Sequence, residues 1–466
     1  MSKDTSGANP FTAGMAAFIA GLSYDSIPPE VRMRIKLLIL DSLGCAIFGA
    51  DLEWSRILME TLGGLDDSRN ARVWGTAMRL SPPHAVLVNG TLVQSFELDD
   101  VHRQGVLHVG AVTLPPLFAV AEMRPGMTGR DFLTAAVAGY EIGPRVGMCM
   151  GQEHIVQGWH SGATVGVFSA AAGAAAGLKL PAEKTVHALG IAGTQAAGLM
   201  AAQFGAMVKR MHAGRSAQSG FYAAVLAEKG FTGIVDVFEN PYGGFCTTFS
   251  RSTDRFNRDE LTSGLGTRFE TLRISLKFYS CVSTNHTALD AIRNMQARHP
   301  FGAADVAKIT VLSSEATREH AGWPYRPQGM TAAQLNMSYC LATLLIEGDC
   351  FVDQFVESKL EDPARLALAA KVAVREDPAI TALGSKFRHK VHVHLELKDG
   401  THLEETVEAP RGSERNFPSA QDVTAKFSKL VSRRLAPAHA ARLADMVLNL
   451  DKLAQLDELI GALQSG

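Results

Sequence analysis

The chain lacks most of the features that assign a function at sight. It has no CxxC pair and no Cys/His group at zinc-ligand spacing, because Cys45, Cys149, Cys246, Cys281, Cys340 and Cys350 are scattered. Six dispersed thiols in 466 residues make no disulfide framework, so they are expected to be reduced and the protein cytoplasmic. No GxGxxG follows a strand-like run, and GxxxxGK[ST], GxSxG and HExxH do not occur. Dinucleotide, nucleotide and serine-hydrolase readings therefore lose their usual support.

An excess of one charge is also missing. Lys and Arg number 45 against 47 Asp and Glu, a formal net charge of −2, so nothing recommends nucleic acid or an anionic membrane as a partner. Long apolar runs are absent too. The weakly polar stretches Gly162 to Leu180 and Leu189 to Val208 are Ala/Gly-rich with Ser, Thr or Gln inside, which fits helices buried on all sides better than membrane spans. The opening MSKDTSGANPFTAG has no basic region followed by an apolar run, so no secretory leader is expected.

What is present is helical patterning over most of the length. Pro28 to Ile47, Ser81 to Phe96, Ala111 to Met123 and Asp131 to Met148 carry apolar residues at helical spacing, with Asp131 placed to cap the last. Arg215 to Lys229 reads as a helix stopped by Gly230. The character changes after about Leu272. Val306 to Ser313 alternates like a strand, Lys390 to Glu408 reads as a hairpin around KDG, and a helix over Thr331 to Ile346 lies between them. From Ala420 the pattern is helical again, in a tail too short to hold a core alone. The expected fold is mainly α with an α+β second domain: a discontinuous helical domain (1–270 and 413–466) interrupted by a smaller α+β lid domain (271–412).

Five segments place polar residues in apolar or glycine-rich surroundings. In residues 95–116, Glu97, Asp99, Asp100, His102 and His108 crowd within twelve positions, where carboxylates raise one another's pKa and a histidine titrates near neutrality. Their spacing matches no usual metal motif, so no metal is expected there. His160 follows Trp159 and precedes a small-residue helix. Lys209, Arg210, His212 and Arg215 stand before and at the start of the expected Arg215 helix. Cations at a helix N-terminus are locally unfavourable unless an anion arrives, so these residues suit carboxylate or phosphate capture. Lys277 opens a polar–aromatic segment, and Tyr339 lies within an apolar helix.

At these same segments the sequence resembles the MmgE/PrpD family, which includes 2-methylcitrate dehydratase, cis-aconitate decarboxylase and iminodisuccinate epimerase. The resemblance is carried by VNGTLVQSFELDDVH, GWHSGATVGVFSAAAGAAAGL, KRMHAGRSAQSGFYAAVLAEKGFTG, LKFYSC with a following histidine, and SYCLATLLIEGD, in that order. It implies a helical domain with an α+β lid, a homodimer, a site between the domains, and acid–base chemistry beside a carboxylate with neither metal nor cofactor. Carried over by position, the site histidines fall on His108 and His160, the lysines on Lys209 and Lys277, the tyrosine on Tyr339, and the carboxylates on Glu97, Asp99 and Asp100. Three positions depart from the family pattern: Glu97 replaces an aspartate, Val101 a threonine and Val109 a proline.

The resulting expectation is an enzyme on a small polycarboxylate. Lys209, Lys277, His212 and Arg215 hold its carboxylates, His108 or His160 moves a proton, and Tyr339 is a second donor. A 2-methylcitrate-type dehydratase leads, with an epimerase of an imino- or amino-dicarboxylate and a cis-aconitate-type decarboxylase as alternatives. A protein that only binds an organic acid is the non-enzymatic reading.

Overall fold

The computed structural model describes residues 10–151 and 153–464; residues 1–9, read above as lacking a leader, lie outside the described residues. The helices that build the site are α1 (Pro29–Gly49), α2 (Pro82–Val93), α3 (Val109–Met123), α4 (Gly129–Met150), α5 (Gly166–Gly177), α6 (Ala182–Gly193), α7 (Val208–Glu228), α8 (His286–Arg298), α9 (Met337–Glu347), α10 (Ala420–Val431) and α11 (Pro437–Leu448). The strands are β1 (Val101–His102), β2 (Ile274–Ser275), β3 (Val306–Ser313), β4 (Val372–Glu376), β5 (Val391–Leu397) and β6 (His402–Val407).

Apolar side chains fall into two cores. One joins helices α1 to α7 with α10 and α11, so the C-terminal helices pack back onto the N-terminal ones. The other gathers α8, α9 and the faces of β3 and β5, with Phe48, Phe96 and Leu98 reaching into it. Its sheet runs β4-β3-β5-β6, with β3 and β4 parallel and the other pairs antiparallel. The expected strand and hairpin are both present. β4 is an addition: its residues are half-exposed, so no alternation advertised it.

The first core is held by backbone proximity as much as by side-chain bulk. α5, GVFSAAAGAAAG, is buried along nearly its whole length, and no helix among the described residues is long and apolar enough to cross a membrane. A Cβ on Gly220 would stand 2.4 Å from Ala170 Cβ, and one on Gly90 2.7 Å from Gly214 Cα. On Gly214 it would stand 2.2 Å from the Leu87 carbonyl and 2.5 Å from Thr91 Oγ1. The α2–α7 crossing therefore depends on glycine. Gly214→Ala is expected to lower unfolding free energy by roughly 1–3 kcal/mol, the usual cost of overpacking, in denaturant titrations; an unchanged midpoint would show that the crossing relaxes freely.

Several helix ends differ from the sequence reading, each for a local reason. α4 is capped by Thr128, whose Oγ1 accepts the Asp131 N–H at 3.1 Å while Asp131 accepts the Thr128 hydroxyl at 2.8 Å. Asp131 is thus the third helical residue of a capping box and not the cap. The helix expected over Thr331 to Ile346 is broken: Met330–Leu335 ends at Asn336, whose side chain accepts the Tyr339 N–H and starts α9. α7 begins at Val208, two turns before Arg215. Lys209 and Arg210 therefore occupy its first turn, and His212 and Arg215 its body.

Candidate active site

The site is built on the 94–108 segment, which is clamped between the two cores. β1 pairs with β2 in antiparallel register, Val101 opposite Ser275 and His102 opposite Ile274, which brings Lys277 alongside. Glu97 sits at φ +56°, a left-handed conformation that is costly for a side chain with a Cβ. The flanking carbonyls are pinned. Phe96 O accepts from Ser280 Oγ at 2.9 Å and Gln334 Nε2 at 3.2 Å, and Leu98 O accepts from Lys426 Nζ at 2.7 Å. Lys426 also pairs with Asp41 at 2.6 Å, tying α10 and α1 to this turn.

So held, Glu97 meets three cations. Its Oε1 lies 2.5 Å from Lys209 Nζ and 2.7 Å from Arg210 Nη1, and its Oε2 lies 3.1 Å from Lys277 Nζ. All four residues are buried. Burial pushes the Glu97 carboxyl up, but Lys209, Lys277 and Arg210 outweigh it and hold the group well below the usual carboxylate range. Burial lowers the Lys209 pKa despite Glu97. At Lys277 burial also works against the ammonium, but Glu97 and Asp99 more than offset it, so its pKa is raised. One carboxylate is shared among three buried cations, which is an incomplete charge balance.

The histidines fall into two arrangements. His108 is the residue before α3, with Nδ1 2.9 Å from Asp99 Oδ2, close enough for an ion pair though not aligned as a hydrogen bond. Asp99 thereby engages Nδ1 and leaves Nε2 as the unengaged ring nitrogen. His160 precedes the short helix Ser161–Thr164, and its Nδ1 lies 3.1 Å from His212 Nδ1. Burial, then Lys209 and His212, pushes His160 well below the ordinary histidine pKa, and burial with Lys209 lowers His212. Both shifts disfavour the charged form of the pair.

Glu97, His108, His160, Lys209 and Lys277 line one cavity of about 110 Å³. Asp99 stands behind His108 and His212 behind His160. Two expected residues are elsewhere. Tyr339 is fully buried in the second core, where its hydroxyl donates to Lys359 O at 3.2 Å and accepts from Arg365 Nη1 at 3.3 Å, with its ring against Tyr325. Arg215 lies on the exposed face of α7 and bonds Gln218. Because α7 starts two turns earlier than expected, Arg215 is carried away from the helix end and the cavity. Two members of the acidic cluster are also structural. Asp100 accepts the Gly110 N–H at 2.9 Å and the Tyr140 hydroxyl at 2.8 Å, and burial raises it to about 7. His102 pairs with Glu270 at 3.0 Å.

The cavity also recruits residues not singled out above: Arg103, Thr284, His320, Arg388 and His389. His320 Nδ1 lies 3.0 Å from Thr284 Oγ1, and Arg388 Nε 2.9 Å from His389 Nε2. Burial and then Arg103 lower Arg388 to about 10. Arg103 has Glu414 at 3.6 Å. The available signal was FRHKVHVHLE, a basic pair ahead of a strand, and an arginine inside the acidic cluster. Among the lining residues Glu97 is the one acid, beside the cations Lys209, Lys277, Arg103 and Arg388. A larger groove of about 680 Å³ lies beside α10, but its charges are mutually paired, Arg411 with Asp422 at 2.6 Å and Arg293 with Asp349 at 3.0 Å.

Models of the MmgE/PrpD N-terminal and C-terminal domains match residues 13–257 and 279–452. The chain belongs to the MmgE/PrpD family. Among curated members, cis-aconitate decarboxylase of Aspergillus terreus is 32% identical over 98% of this chain and 97% of its own length. The cis-aconitate decarboxylase-like protein oryM of Aspergillus oryzae is 34% identical over the same shares. Human cis-aconitate decarboxylase is 26% identical over 95% of this chain and 92% of its own. The MmgE/PrpD membership and the mainly α architecture with a smaller α+β part agree with the sequence reading.

One buried histidine beside the site gives a test of its electrostatics. His286 opens α8, with Nε2 3.2 Å from Cys281 O, and burial with Lys277 pushes it down to about 3. An unfolded histidine takes up its proton near 6.5, whereas the folded chain resists until about pH 3. Its contribution to stability is therefore complete above 6.5 and is lost as pH falls toward 3, at ~1.4 kcal/mol per pH unit. His286→Gln keeps an N–H for the Cys281 carbonyl and cannot titrate. Unfolding titrations from pH 6.5 to 4.5 are expected to show a slope shallower by that amount; parallel curves would contradict the assignment.

Proposed function

We propose that this MmgE/PrpD protein is a lyase that removes CO2 from an unsaturated tricarboxylate of the cis-aconitate type. The observation that carries the reading is the charge beside the cavity: Lys209, Arg210 and Lys277 share the single Glu97 carboxylate, a surplus that an anion with several carboxylates balances. The relatives named above as cis-aconitate decarboxylases, aligned over nearly their whole length, support the same substrate class.

In such a reaction the C–CO2 bond breaks and its electron pair moves through the double bond into the remaining conjugated carboxylate. A dienolate forms, a carbon then takes a proton, and the products are CO2 and an unsaturated dicarboxylate. Lys209 and Lys277, preorganised around Glu97 before substrate arrives, stabilise the dienolate charge as it develops. Arg103 and Arg388 hold a carboxylate at the other end. His108, oriented by Asp99, delivers the proton from Nε2, and solvent restores it. His160, kept neutral, donates or accepts a hydrogen bond without adding charge.

A dehydratase needs a second acid to protonate the departing hydroxyl, and an epimerase needs a proton-transfer group on each face. Tyr339 was the residue expected in that second role, and its place in the lid core favours the decarboxylase, which needs one proton delivery. The test is NMR in heavy water with unsaturated, hydroxy- and imino-polycarboxylates. Loss of CO2 with one deuterium entering the product is expected. Water loss or α-exchange with no CO2 formed would replace the proposal with a dehydratase or an epimerase.

A further inference from the structure

Cys281, Cys340 and Cys350 are far apart in the chain at no metal-motif spacing, yet the fold brings their sulfurs together. All three are fully buried, and the three Sγ atoms lie within 4.8 Å of one another. They come from three different places: the segment after Lys277, the first turn of α9, and the loop that follows α9. Cys350 O also accepts the Ser280 N–H at 3.0 Å, so the two loops are already fastened at the cluster.

A fourth group completes the set. Asn285, with no exposed surface, holds its Nδ2 3.4 Å from Cys340 Sγ, and its Oδ1 has no hydrogen-bond partner among the described residues. A buried amide oxygen without a donor is costly, and oxygen and nitrogen of an amide exchange places by a half-turn of the side chain. That turn sets Oδ1 against Cys340 Sγ. We infer that Cys281, Cys340, Cys350 and Asn285 form a structural site for a thiophilic d10 cation, zinc(II), in the lid core.

The dimensions suit it. Zn–S bonds of about 2.3 Å in tetrahedral geometry give sulfur–sulfur edges of about 3.8 Å and a sulfur–oxygen edge of about 3.6 Å, so each thiol needs to close by no more than about an ångström. Binding releases three thiol protons and leaves the centre with one net negative charge. With no exposed surface at any ligand, the metal enters as the lid folds. It would staple the segment bearing Lys277 to α9 without taking part in the reaction.

The test is elemental analysis of the full chain, purified from zinc-supplemented cells and dialysed against chelator. About one zinc per chain is expected in the wild type and in Cys149→Ala, a buried cysteine outside the cluster, with at least ~5-fold less in Cys340→Ala. Less than ~0.1 zinc per chain in the wild type, or equal zinc in wild type and Cys340→Ala, overturns the site. If Cys340→Ala does not fold, wild-type protein from cobalt-supplemented cells decides: thiolate-to-cobalt charge transfer with tetrahedral d–d bands supports it, and their absence overturns it.

Discussion

Replacing His108 by alanine is expected to lower kcat for decarboxylation by ~10²–10⁴-fold, the usual worth of a positioned proton-transfer group. The ring is fixed from both sides: its backbone precedes α3, and Asp99 stands 2.9 Å from Nδ1. Removing it leaves the cation set intact, so KM should change little and the loss should appear in the step that protonates the dienolate. The loss should also carry a stereochemical signature. In heavy water the wild type places deuterium on one face of the new CH2, whereas residual turnover in His108→Ala, protonated by solvent, gives both faces. A variant with unchanged kcat, or with unchanged facial selectivity at reduced kcat, would remove His108 as the donor.

Lys209→Ala is expected to cost ~10²–10³-fold in kcat, as loss of a preorganised charge-stabilising donor does, with a rise in KM because the same ammonium binds the ground-state carboxylate. The effect originates at Glu97. In the wild type its two oxygens serve Lys209, Arg210 and Lys277, and the surplus positive charge faces the cavity. Without Lys209 the carboxylate is shared by only two cations, so part of the surplus that draws the dienolate disappears. Lys209→Arg restores charge but not the compact ammonium geometry and should recover binding more than turnover. Parallel kinetics of the two variants check this; equal kcat in Lys209→Ala and wild type would contradict it.

The sequence made the second core's sheet legible where one face is buried and the other wet, as in β3 and the β5–β6 hairpin. It could not show β4, a half-exposed strand without alternation. α7 was found but started late, because MVKRMH reads as a polar lead-in when its ion-pair partner lies more than a hundred residues away at Glu97. The same remoteness explains why the cations read as unneutralised: their balance was incomplete, but less so than the local sequence implied. Tyr339 was placed by resemblance and Arg215 by an assumed helix end; packing puts the first in the second core, and the earlier start of α7 puts the second on an exposed face. Arg103 and Arg388 escaped notice since each is one charge in a mixed segment, and only the closing of the two cores sets them around one space. The three cysteines carry the same lesson, since their convergence depends on where α9 ends.

The central claim is that the Glu97-centred cations make a pocket for a tricarboxylate. A crystal structure with a saturated tricarboxylate such as tricarballylate, which binds but cannot lose CO2 through a double bond, tests it most directly. The account predicts one carboxylate within hydrogen-bond distance of Lys209 and Lys277, another near Arg103 and Arg388, and His108 Nε2 facing the carbon chain. A ligand seated instead in the groove lined by Asp290, Arg411 and Lys429, with the 97–108 cavity closed, would contradict it.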